Sequence, residues 1–126
     1  MSGIPGPRYD LEDRLIRFGA AVCRLAGQLP VTVVGKQVSQ QLIRSATSPF
    51  ANYGEVQDAE SRRDFIHKLG ICLKELRETR AWLKFMDEMK LGAEDQLTMV
   101  MRECEELLAI MATSVRTARQ NGNRRM

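Results

Sequence analysis

Apolar residues recur along this chain at alternating steps of four and three, in four separate blocks. That spacing marks one buried face of a helix, because about 3.6 residues complete a turn. The first block is Leu11, Leu15, Phe18, Val22, Leu25 and Leu29, predicting a helix from about Tyr9 to Gln28 that Pro30 closes. The second stripe is Val38, Leu42, Ser45, Pro49, Asn52 and Val56, within a helix from about Lys36 to Asp58. The third is Phe65, Leu69, Cys72, Leu76, Thr79, Leu83 and Met86, within a helix from about Ser61 to Lys90. The fourth is Leu97, Met101, Cys104, Leu108, Met111 and Val115, within a helix from about Ala93 to Gln120. No stretch alternates as a strand would, and no Asn-Gly or Asp-Gly pair joins two β-branched runs. The chain therefore reads as all-α.

Short connections make successive helices antiparallel, so the expected architecture is an antiparallel up-down-up-down four-helix bundle over residues 9–120. Residues 1–8 are expected to be a flexible N-terminus and 121–126 a flexible C-terminal tail. Local signals agree with these boundaries. Asp10, Glu12 and Asp13 open the first helix, and Glu94 and Asp95 the fourth, where the helix dipole favours negative charge. Arg116 and Arg119 close the fourth, where it favours positive charge. Ser61 followed by Asp64 is an N-cap pattern. Gly92 is placed to end the third helix. The second helix breaks its own pattern: Pro49 lacks an N–H for the Ser45 carbonyl and should bend the helix.

Second apolar rows accompany these stripes: Ile66, Leu73 and Trp82 on the third helix, and Val100, Leu107 and Ile110 on the fourth. They either widen the core face or meet another subunit.

Composition excludes several function classes. No run approaches the roughly 20 apolar residues of a membrane span. Met1–Asp10 holds no apolar segment of a secretory signal. A cytoplasmic protein without membrane association is expected. Three cysteines without C-x-x-C spacing support neither a disulfide framework nor a thiolate zinc site. The single histidine, His67, has only Asp64 nearby on its helix, too few ligands for a metal. No nucleophile–base set and no phosphate-cradling glycine loop is evident, so neither enzyme activity nor a cofactor is expected.

The formal charge of +3 hides an uneven distribution. The last 20 residues carry Arg116, Arg119, Arg124 and Arg125 and no acid, so the other 106 residues have 15 bases against 16 acids. The arginine-bearing end is the candidate nucleic-acid contact. A second polar set lies at helical steps: Arg44, Ser45, Ser48, Asn52 and Glu55, continued by Ser61, Asp64 and Lys68. If this face is buried, Arg44 must pair, with Glu55 or Asp64 the nearest candidates. It is either a structural polar network or a cleft for a ligand or RNA.

These residues resemble a known family. The run Arg44-Ser45-Ala46-Thr47-Ser48-Pro49-Phe50-Ala51-Asn52-Tyr53-Gly54-Glu55, then Asp64-Phe65-Ile66-His67-Lys68-Leu69, then Leu73-Lys74-Glu75-Leu76 and Glu78-Thr79-Arg80-Ala81-Trp82-Leu83, is similar to the bacterial four-helix-bundle proteins first noticed as reading frames in intervening sequences of 23S rRNA genes. Pro49 and Val56 depart from the family's usual pattern. The resemblance implies a homopentameric antiparallel bundle without established enzymatic activity. On that basis the chain is expected to be a self-assembling, RNA-linked interaction scaffold. The accessory protein of diversity-generating retroelements is a related bundle that binds nucleic acid and partners a reverse transcriptase, but it is strongly basic. The alternatives are a nucleic-acid binder of that accessory type and a small-ligand-binding bundle.

Overall fold

A computed structural model describes residues 7–124, with side chains described over 11–121. It contains four helices and, among the described residues, no strand: α1 (Pro7–Gly27), α2 (Val33–Val56), α3 (Arg62–Met89) and α4 (Glu94–Arg124). Each helix packs on its neighbours in the cycle α1–α2–α3–α4–α1, and among the described residues the diagonal pairs do not meet backbone to backbone.

The expected boundaries shift by one to four residues, and at α2 and α3 the caps show why. α2 begins at Val33 rather than Lys36, because the Thr32 hydroxyl caps it by accepting the Gly35 N–H at 2.9 Å. It runs through Pro49 as one helix, with Pro49 buried. Ser61 caps α3, accepting the Asp64 N–H at 3.1 Å. The left-handed residue that ends α3 is Lys90 (φ 58°), not Gly92. Leu91 N–H then closes on the Met86 carbonyl at 2.9 Å. Gly92, also at positive φ (80°), makes the following turn. α4 continues to Arg124, past the expected end at Gln120. Residues 1–6 and 125–126, which hold most of the expected N-terminal segment and the end of the tail, lie outside the described residues.

The four stripes converge on one core. Leu15, Leu42, Leu76, Leu83 and Met111 are fully buried. The second rows belong mostly to the same core: Leu107 is fully buried and Val100 nearly so, while Ile66, Leu73, Trp82 and Ile110 pack against it half-buried.

Candidate functional site

The polar residues singled out on α2 do not form one network. Ser45 faces the core and its Oγ is hydrogen-bonded to Thr79 Oγ1 of α3 at 2.9 Å. Arg44, one position before it, reaches around the outside of α3. Its Nη1 donates to Glu75 at 3.1 Å, and its Nη2 pairs with Glu78. The expected partners, Glu55 and Asp64, are not the ones it uses. The Ser45–Thr79 register puts Glu75 and Glu78 beside Arg44. Asp64 lies at least 11 residues further along α3, roughly 16 Å away at 1.5 Å per residue. Asn52 Nδ2 bonds within α2, to the Ser48 carbonyl and hydroxyl at 3.0 and 2.9 Å. Glu55 is exposed. Asp64 accepts the Glu60 N–H at 3.2 Å and pairs with Lys68 at 3.3 Å. The Glu60 N–H chiefly, helped by Lys68, holds its carboxyl below the usual carboxylate range.

Glu75 and Thr79, both buried, carry the interior half of these contacts, and neither belongs to the polar set singled out from helical spacing. A signal existed: Ser45 and Thr79 both occupy core stripes, and two polar core positions on adjacent helices can satisfy each other. Among the described residues no buried side-chain nitrogen or oxygen lacks a partner. The buried polar atoms of the α2–α3 seam are therefore paired within the chain.

Other chemistry-bearing groups are equally quiet. Among the described residues no cluster of three or more His, Cys, Asp or Glu could hold a metal. His67 is exposed. Burial pushes the thiols of Cys72 and Cys104 up to about 12. Both remain protonated at neutral pH, while Cys23 is half-buried. Labelling with a thiol-specific disulfide reagent at pH 8 should therefore modify one cysteine per chain quickly and two only on unfolding. Rapid modification of all three in the folded chain would contradict this assignment.

The opposite corner is open. The end of α2 (Val56, Gln57), the start of α3 (Ser61, Arg62, Phe65) and the last turns of α4 (Thr113 to Asn121) enclose a cavity of about 710 Å³. Arg62 spans it, its Nη1 donating to the Ala118 carbonyl at 3.3 Å. On the other side of the bundle, Arg14 of α1 is held by Glu103 (2.7 Å) and Glu106 (3.4 Å) of α4. Of the candidate arginines, Arg116 and Arg119 are exposed at this end of α4 and make no ion pair among the described residues. Arg124 ends the helix with its side chain undescribed, and Arg125 lies outside the described residues.

No helix among the described residues is long and apolar enough to cross a membrane. No curated protein matches the chain. Among solved structures it is similar to a protein of unknown function from the S23 ribosomal protein family of Bacteroides thetaiotaomicron. Identity is 28%, the TM-score is 0.75, and the match covers 86% of this chain and 97% of that one. The four-helix fold, the motif from Arg44 to Leu83 and a family match over residues 10–113 agree: the chain belongs to the 23S rRNA-intervening sequence protein family.

Proposed function

We propose that this chain is a non-enzymatic cytoplasmic scaffold, an antiparallel up-down-up-down bundle that assembles into a homopentamer and works on structured or ribosomal RNA. The order of interhelical contacts supports the antiparallel arrangement. Along α2, Arg44 and then Pro49 meet Glu75 and then Cys72 of α3. Along α3, Arg62 and then Leu76 meet Ala118 and then Cys104 of α4. Self-assembly is supported by large apolar side chains left outside the core. Met99 is 71% exposed, and Phe85, packed edge-to-face on Trp82, is 39% exposed. Among the described residues the polar seam on α2 is satisfied internally, which favours a structural role there over ligand binding.

The observation that carries the RNA reading is the pair of exposed, unpaired arginines on an acid-free end of α4. Five chains would gather 20 arginines from residues 116–125, counting four per chain. Each phosphate neutralised by a cation steepens the fall of affinity with salt. Changing Arg116, Arg119, Arg124 and Arg125 to Gln should weaken filter binding of structured RNA at least about tenfold and flatten its salt dependence. Unchanged affinity and slope in that variant would remove the arginine end from the account.

A further inference from the structure

The cavity at the arginine-bearing end has a lining that the satisfied α2–α3 seam lacks. Its volume, about 710 Å³, lies within the range of roughly 300–1,000 Å³ typical of small-molecule sites. Among the described residues no carboxylate lines it, and Arg62 is the one charged side chain that does. Phe65, half-buried, gives an aromatic wall. Gln57 and Asn121 offer amides that both donate and accept, and Thr113 and Thr117 offer hydroxyls. Arg62 uses one nitrogen on the Ala118 carbonyl and makes no ion pair among the described residues, so its other N–H groups can serve an anion. Two other hollows, at the far end of the bundle, are smaller, about 220 and 270 Å³, and the larger of these carries two acids, Asp87 and Glu94, beside Lys90.

We propose that this cavity holds a single unpaired ribonucleotide. The base lies against Phe65 with its edge on Gln57 and Asn121, and the phosphate lies on Arg62. Aromatic stacking, amide contacts to base edges and an arginine on phosphate are how proteins read unpaired nucleotides. Arg116 and Arg119, at the same end of α4, would draw the flanking backbone. The inference rests on the RNA reading for its biological source, but the site can be tested without it.

The test uses the full chain and follows the backbone amides of Thr113, Thr117 and Asn121 by NMR, with affinities from anisotropy. The probes are adenosine and uridine 5′-monophosphates, inorganic phosphate, a single-stranded RNA of about eight nucleotides, and the same RNA annealed to its complement. The nucleotides should shift these amides at concentrations where phosphate does not. Thr117→Trp fills the cavity from an exposed position and should weaken single-strand binding at least about tenfold while leaving duplex binding unchanged. Arg62→Gln should weaken it and Arg62→Lys largely restore it. A single strand binding far tighter than free nucleotide identifies RNA as the source. Equal affinities, or RNA that fails to bind while the mononucleotides do, identify a free nucleotide, and the latter result removes the RNA reading but keeps the site. Overturning results are cavity amides that respond to no nucleotide, amides that respond to phosphate equally, or a Thr117→Trp chain that melts like the parent and binds as the parent does.

Discussion

Gly35→Ala should lower the melting temperature by on the order of 10 °C, although the change adds one methyl group at the start of a helix. A Cβ built at Gly35 would lie 2.0 Å from the Pro30 carbonyl oxygen and 3.1 Å from the Thr32 hydroxyl. The first obstacle is backbone in the turn that joins α1 to α2, so no side-chain rotation relieves it. The turn must move, and moving it strains the Thr32 cap on the Gly35 N–H. Overpacking costs about 1–3 kcal/mol and a lost N-cap about 1 kcal/mol. The sum is a large fraction of a typical stability of about 5–15 kcal/mol. Gly70→Ala is the matched comparison. Nothing lies within 4 Å of its added Cβ, and it sits inside α3. It should stabilise the chain by up to about 1 kcal/mol, the helix-propensity difference. Thermal melts followed by circular dichroism decide the matter, and a Gly35→Ala chain that melts with the parent would refute the close-approach explanation.

Leu107→Ala should cost about 2–5 kcal/mol in denaturant unfolding, the usual range for a leucine truncated inside a packed core. Leu107 belongs to the second apolar row of α4, which the spacing alone left divided between core and subunit interface. It is fully buried within a single chain, so its loss leaves a cavity in the protomer. Met99→Ser, on the same helix but 71% exposed, should change protomer stability by less than about 0.5 kcal/mol. If the Leu107 variant unfolded like the parent, and differed only in how stability depends on protein concentration, the second row would belong to an interface instead.

The four helices were legible because their pattern is simple. Each stripe is set by the helical repeat, and every one of the four appears as a buried face. Boundaries were less legible because caps act through single atoms. Thr32 starts α2 earlier than the stripe suggests, and Lys90 takes the left-handed conformation that Gly92 would have taken more cheaply. Pairing was the least legible. Arg44 was expected to find an acid close in sequence, but its partners lie 31 and 34 residues away. Only the register between α2 and α3 could identify them. The cavity is hidden for the same reason: its described walls come from α2, α3 and α4, and no local pattern encodes how those helices meet. The arginine-bearing end was visible from charge alone. Arg62, which shares the cavity with that end of α4, belongs to neither the polar set on α2 nor the arginine-bearing end, so charge alone did not single it out.

Self-assembly is tested most directly by the mass of the full chain in solution. Static light scattering on protein eluting from a sizing column, at micromolar concentration, should give five chains of 14.3 kDa, about 72 kDa, in one symmetric peak. A mass of 14.3 kDa at that concentration would contradict the scaffold. The arginines would then act singly, and the exposed Phe85 and Met99 would need another partner.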